Sequence, residues 1–411
     1  MASETTSTSY MLDLDSLGVE SAMSMIFAHS IKMSASDVFI MTNESYVAVQ
    51  VRHLGIVRPI GIMGLDPGRR LMQHIKANSG MDVAERHHPA EGRWFFETED
   101  DGLVDLRITT VPTLYGEDFG IRLLVRKSQL FDIEHLGMLP DQYQKYRAML
   151  EGAGGLILIT GPSGSGKTAT LYAALSYLND GSRKINTIED PIEFALDGLR
   201  QSQISQAYGL TFSDMLRSLL RQAPDVIMVG EIRDKETAEI AVRAANSGHM
   251  VFSTLHAPVA AGAVHSMLSL GTHPHFLSTS LRGIIAQRLV RTLCPQCRLE
   301  FDISNSPNTF DEIKSWLGPD EGRKFYGAGQ CDACNSTGYV GQSGVFEIME
   351  VSSEVRYLIA NAALVTEIRA KAVEQGMLDF RKAALLKVAK GLTTTEEIFR
   401  VIPPEHLLVE D

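Results

Sequence analysis

Apolar positions along the chain recur at two different periods, and the switch between them divides it. From Gly18 to Met33, Val19, Met23, Ile26 and Phe27 recur at helical spacing, with Ser30 on the same face. Short alternating segments follow at Asp37 to Ile40, Tyr46 to Val51, Gly92 to Thr98, Leu103 to Val111 and Phe119 to Val125, which predict strands. A helix-like stretch, Pro67 to Asn78, lies between the second and third. This pattern predicts an α+β domain over 10–126, preceded by a disordered tail over 1–9. A linker over 127–152 follows, with a helix starting at Pro140.

From Gly154 the pattern becomes strand then helix, repeatedly. Leu156 to Ile159, Ile185 to Ile188, Val226 to Val229 and Met250 to Thr254 are short, continuously apolar runs. Between them, helices are predicted from Lys167 or Thr168, from a capping box at Thr211-Phe212-Ser213-Asp214, and from Thr237 to Asn246. Such alternation argues a mostly parallel sheet covered on both faces, over 153–290. A tail of small helices over 346–411 is broken at Gly376, Gly391 and Thr393-Thr394.

The first apolar run leads into Gly161-Pro162-Ser163-Gly164-Ser165-Gly166-Lys167-Thr168, a phosphate-binding loop in the strand–loop–helix setting it needs. Its glycines let backbone N–H groups close on phosphate oxygens, and the helix N-terminus adds positive potential. Lys167 suits the β- and γ-phosphates of a nucleotide, and Thr168 suits Mg²⁺. Three more polar sites sit at or just after strand ends: Glu189-Asp190, Glu231 and His256. Glu231 sits where the acidic partner of such a loop orients water or holds Mg²⁺, one residue late because Gly230 ends the run. Each has a plainer alternative. Glu189 and Asp190 can be solvated turn carboxylates, Glu231 can pair with Arg233, and His256 can be structural.

Charge and cysteine content narrow the class. The net charge of −12, with no Lys/Arg run longer than Arg69-Arg70 or Arg126-Lys127, counts against a nucleic-acid motor, and no apolar stretch approaches the ~18 residues of a membrane span. The chain is expected to be cytoplasmic, reaching a membrane through partners. Four cysteines form two C-x-x-C pairs, Cys294/Cys297 and Cys331/Cys334, over a segment bounded at 291–345. Such knuckles can present four thiolates tetrahedrally to Zn²⁺, although the gap from Arg298 to Gln330 exceeds the ~15–20 residues of common zinc ribbons. Reduced thiols without metal are the alternative.

Four ordered segments resemble the boxes of one group. They are Gly161 to Thr168, Thr187-Ile188-Glu189-Asp190-Pro191-Ile192-Glu193, Arg221 to Asp234, and Gly248 to His256. That group is the secretion-superfamily ATPases of type II secretion and type IV pilus machines. The resemblance extends from about Ser34 to Arg400, taking in Ala35-Ser36-Asp37-Val38-Phe39-Ile40 and Pro112 to Asp118. It implies a RecA-like P-loop core, an α+β (PAS-like) N-terminal domain, a zinc-binding insertion and a small helical C-terminal region. It also implies nucleotide contacts by Asp190 and Arg233, and reach toward nucleotide by Arg107 and Arg122, whose alternative is ordinary surface charge. Assembly and type II enzymes carry the tetracysteine module, whereas retraction enzymes generally lack it. The sequence departs from the group at Phe39 (His in the family), Leu54 (Asp) and Gln342 (Arg). Assembly and type II members usually carry an extra N-terminal domain that docks on a membrane platform, and only about thirty residues precede the resemblance here.

The expected function is therefore an ATP-hydrolysing assembly motor using ATP, Mg²⁺ and Zn²⁺. It would be a ring hexamer acting with inner-membrane platform proteins, with Glu231 activating water and Glu189 assisting. A nucleotide-sensing regulator or scaffold with little turnover and a nucleic-acid translocase are the alternatives.

Overall fold

A computed structural model describes residues 11–98, 102–125, 132–204, 209–306 and 308–407. The expected tail over 1–9 lies outside the described residues. The chain divides into two compact units, Met1–Lys127 and Ser128–Asp411.

In the first unit the elements are β1 (Leu12–Asp13), α1 (Val19–Lys32), β2 (Asp37–Thr42), β3 (Tyr46–His53), β4 (Ile56–Gly64), α2 (Leu65–Asn78), β5 (Ala90–Thr98), β6 (Gly102–Thr113) and β7 (Gly116–Leu124). They form one sheet in the order β1-β4-β3-β2-β7-β6-β5, antiparallel except for β1 against β4. Alternation places Val38, Ile40, Val49, Val51, Leu106 and Ile121 in the core with Phe27 of α1. Two strands go beyond the sequence reading. β4 contains Pro59, and its register against β3 slips between Val49 and Gln50, at the bulge beside this proline. β1 is only two residues long.

The second unit contains α3 (Pro140–Leu150), β8 (Gly155–Thr160), α4 (Lys167–Leu178), β9 (Ile185–Glu189), β10 (Arg200–Gln203), α5 (Phe212–Leu220), β11 (Val226–Val229), α6 (Lys235–Asn246), β12 (Met250–Leu255), α7 (Ala260–Ser269), α8 (Pro274–Ser280), β13 (Leu281–Leu293), β14 (Leu299–Asp302), β15 (Lys324–Gly327), β16 (Tyr339–Glu350), α9 (Ser353–Ala360), α10 (Val365–Glu374), α11 (Phe380–Ala389) and α12 (Thr395–Val401). Its main sheet runs β10-β9-β11-β12-β8-β13-β16. It is parallel until the last pair, where β13 and β16 are antiparallel. The apolar runs of β8, β11 and β12 are buried on both faces, as a parallel sheet between helices requires.

β13 and β16 run through the positions where the sequence reading divides the core, the cysteine segment and the C-terminal region, at 290/291 and 345/346. The cysteines thus lie on an excursion between two paired strands, which includes the β14–β15 hairpin. Among the described residues, no helix is long and apolar enough to cross a membrane.

Candidate nucleotide site and cysteine cluster

The carboxyl ends of β8, β9, β11 and β12 form one edge of the second unit's sheet, and the polar residues singled out in the sequence gather there. The loop from Gly161 turns into α4 at Gly166, whose φ of 86° is left-handed. Lys167 Nζ folds back to donate to the carbonyls of Gly161 at 2.8 Å and Pro162 at 3.0 Å. Burial lowers its pKa, while the negative charge of Glu231 acts in the opposite sense. Thr168 Oγ1 donates to Glu193 Oε1 at 3.4 Å.

Glu231 follows β11 by two residues and is held where the ends of β11 and β12 are tied. Ser253 Oγ donates to Val229 O at 2.8 Å and Thr254 Oγ1 to Gly230 O at 2.7 Å. Its side chain is 15% exposed; Oε1 meets Arg233 Nη2 at 2.5 Å and Oε2 lies 4.0 Å from His256 Nε2. The Glu231–Arg233 ion pair weighed as an alternative from the sequence is therefore present. It lies beside the phosphate loop, in the electrostatic reach of Lys167.

Glu189 is buried at the end of β9 and its carboxylate is surrounded by donors. Thr187 Oγ1 donates at 2.6 Å, Gln201 Nε2 at 3.0 Å, and the Tyr172 hydroxyl also donates. Tyr172 in turn accepts from the amides of Glu193 at 3.3 Å and Phe194 at 3.5 Å. Burial and the neighbouring Glu189 charge push the Tyr172 phenol up, so it stays a donor. Glu189 in this setting braces the loop that carries Glu193 past α4. Asp190 is exposed.

Three residues at this site were not assigned in the sequence. Glu193 touches Thr168, and its signal was its place in the second box. Tyr172 lies among apolar residues of α4, so its spacing carries no polar signal. Gln287 of β13 is 1% exposed and binds the loop from behind, with Arg288 beside it donating to Pro258 O at 2.9 Å. Burial lowers the Arg288 pKa, and nearby Glu347 partly restores it.

Arg107 and Arg122 belong to the first unit, where they stand directly opposite each other on β6 and β7. Arg122 is 65% exposed and donates to Asp37 Oδ1 at 3.3 Å. Asp37 also meets Arg52, and Arg93 pairs with Arg107 across β5, so one row of the sheet carries all four arginines.

The four cysteines converge. Sγ separations are 3.7 Å for Cys294–Cys331, 3.7 Å for Cys297–Cys334 and 3.6 Å for Cys331–Cys334, and all four sulfurs lie within 4.8 Å of one another. Thiolates ~2.3 Å from a tetrahedral Zn²⁺ stand ~3.8 Å apart, so the donor set fits zinc in identity, number and spacing. Burial acts to raise the Cys334 thiol, but hydrogen bonds, led by the Gly338 N–H at 3.2 Å, bring it down to about 6.

Comparison with known proteins places this geometry. The family described as "Type II/IV secretion system protein" matches residues 13–400, starting earlier than the Ser34 from which the sequence resemblance runs. Type II secretion system protein E of Dickeya dadantii is 41% identical over 384 residues, covering 92% of this chain and 75% of the relative. The type IV pilus assembly ATPase PilB of Thermus thermophilus is 36% identical over 387 residues, covering 94% of this chain and 43% of the relative. In fold, the chain is similar to the Legionella pneumophila ATPase DotB, with a TM-score of 0.66 at 21% identity over 92% of this chain and 94% of the other. On these matches the chain belongs to the type II/IV secretion system protein family and is one of its ATPases.

Proposed function

We propose that this ATPase is the motor of a type II secretion pseudopilus or type IV pilus assembly machine, and that hydrolysis takes place at the carboxyl edge of the second unit's sheet. The observation that carries the reading is the meeting of Lys167, Thr168, Glu193, Glu231, Arg233 and His256 at one loop–helix junction. The loop amides and Lys167 bind the β- and γ-phosphates. Thr168, with Glu193 beside it, is placed to hold Mg²⁺, which supplies charge neutralisation for the phosphates. Glu231 takes the proton of the attacking water, His256 lies on its far oxygen, and Arg233 holds the near one. Glu189 supports the site through Tyr172, and Asp190 marks its open rim.

Residues 153–290 of the second unit are a RecA-like core, the C-terminal 346–411 a small helical region, and the first unit a PAS-like α+β domain whose Arg107 and Arg122 complete the charge stabilisation at a nucleotide. The tetracysteine excursion holds one structural Zn²⁺, since four thiolates leave no open position for water. The active form is a homohexamer at the cytoplasmic side of an inner membrane, acting with platform proteins and not with nucleic acid. The carboxylate-rich composition argues against nucleic acid, and the relatives' names, which speak of type II secretion and type IV pilus assembly, support work in such machinery.

Steady-state phosphate release in the purified chain, with and without DNA, tests the reading. Turnover that Lys167→Ala abolishes and DNA leaves unchanged is expected. Turnover that rises with DNA favours a translocase. A nucleotide-sensing regulator draws on the Glu231–Arg233 pair, which occupies one carboxylate oxygen; ATP binding without turnover favours it.

A further inference from the structure

We infer that Gln287 is the residue that positions the phosphate-binding loop, an inference that rests on this loop binding nucleotide as proposed above. A loop whose amides turn inward to phosphate must turn carbonyls outward. The outward carbonyl of Ser165 is met by Gln287 Nε2 at 2.7 Å. The other end of the same amide accepts from Thr170 Oγ1 at 2.8 Å, on the first turn of α4. The Ser165 carbonyl sets which end of the amide faces the loop, because only the NH₂ end can serve a carbonyl, and the Thr170 bond holds the amide in that orientation. Among the described residues, Ser165 Oγ is buried with no hydrogen-bond partner, so the residue is tied down through its backbone.

Gln287 also lies close against two glycines of the motif. A Cβ on Gly161 would stand 2.5 Å from Gln287 O, and one on Gly166 3.2 Å from Gln287 Nε2. The loop therefore closes directly on this strand residue at both ends. Arg288 Nη1 donates to the same Gln287 carbonyl at 3.2 Å, which anchors it in turn. Neither residue sits in the four sequence boxes. Gln287 touches the loop's outer side, so it acts through the loop rather than on nucleotide, and its loss weakens phosphate binding by letting the amides turn away.

The test uses the full chain and a fluorescent ATP analogue, with thermal unfolding read in the absence and presence of ATP. Gln287→Glu keeps the shape but puts an acceptor against the Ser165 carbonyl. It is expected to weaken ATP binding roughly 10- to 100-fold, in line with the cost of an unmet buried carbonyl, and to remove most of the ATP-induced rise in Tm. Thr170→Val frees the amide to rotate and is expected to weaken binding in the same direction by a smaller factor. A merely structural role would lower Tm without nucleotide and leave affinity alone. Affinity within twofold of the parent in folded Gln287→Glu overturns the inference. Should that variant fail to fold, parent-like affinity in Thr170→Val overturns it. If the parent itself binds no ATP, the functional reading fails instead, so the two failures are distinguishable.

Discussion

Replacing Glu397 with Gln is expected to loosen the base of the cysteine excursion by an amount the geometry sets. Glu397 lies on α12 with a fully buried carboxylate. It accepts from Arg291 N at 2.9 Å, Nε at 2.9 Å and Nη2 at 2.8 Å, three residues before Cys294. Arg400 adds bonds at 2.7 and 2.6 Å. The Arg291 side chain is only 11% exposed and stacks 4.0 Å over Tyr339, so it is largely shielded from water when its partner loses charge. Arg400 is more exposed and can turn outward. Removing one partner of a buried pair costs about 3–5 kcal/mol, most of it from the stranded cation. At ~2 °C per kcal/mol for a unit of this size, the Tm falls by about 6–10 °C. The exposed Arg147–Glu151 pair is the internal control, and its loss is expected to be near neutral.

The pH dependence carries a sign. Burial acts to raise the Glu397 pKa, but the bonds from Arg400 and Arg291 outweigh it and hold it below the ordinary 4.5. A depressed folded pKa means the unfolded chain takes up the proton first. The stabilisation is therefore complete above 4.5 and is lost as pH falls through the folded value. Calorimetry of parent and Glu397→Gln from pH 7 to 3.5 should show their Tm values converging on acidification. A difference under about 2 °C at pH 7, or one that does not shrink with acid, refutes the reasoning.

Three other outcomes are expected. Lys387 is buried, donates to Gly137 O and Ser343 Oγ at 2.7 Å each, and is pushed down by burial from 10.5 to about 8; the unfolded chain binds the extra proton between those values, so parent stability should gain from this group as pH rises from 8 to 10.5, a gain absent in Lys387→Met denaturation curves. Cys331→Ser should lower zinc, measured by elemental analysis, from near one per chain and lower the Tm while ATP still binds; zinc near zero in the parent prepared without chelators rejects the site. Arg107→Ala should cut turnover by roughly 10³-fold without unfolding, and mixing it with Lys167→Ala should restore activity if subunits share a site; normal turnover in both Arg107→Ala and Arg122→Ala removes these arginines from the mechanism.

The parts of the fold legible in the sequence are those whose signal is local. Leu156 to Ile159 followed by the glycine-rich loop identifies strand, turn and helix within a few residues, and Thr211 does cap α5, accepting from Asp214 N at 3.2 Å. β4 was hidden because Pro59, Gly61 and Gly64 read as breakers, and only the bulge and the pairing with β3 make the proline tolerable. β10, Arg-Gln-Ser-Gln, carries no apolar pattern at all, since it is an edge strand whose place is set by its parallel register with β9. At the site, strand ends predicted where Lys167, Glu189, Glu231 and His256 fall. Glu189's donors, Gln201 and Tyr172, and Gln287's grip on Ser165 could not be read, because they join residues far apart in the chain through side-chain geometry. Polarity alone marks a position, whereas a hydrogen-bond partner needs the fold.

Rapid mixing of Glu231→Gln with radiolabelled ATP and Mg²⁺, followed by separate counts of bound ATP and released phosphate, tests the central claim most directly. The glutamine keeps the shape beside Lys167 and loses the carboxylate that takes the water's proton. The expected result is ATP retained near the parent's affinity with phosphate release lowered by roughly 10²–10⁴-fold. Phosphate release close to the parent rate contradicts the assignment of Glu231 and moves the search to Glu193.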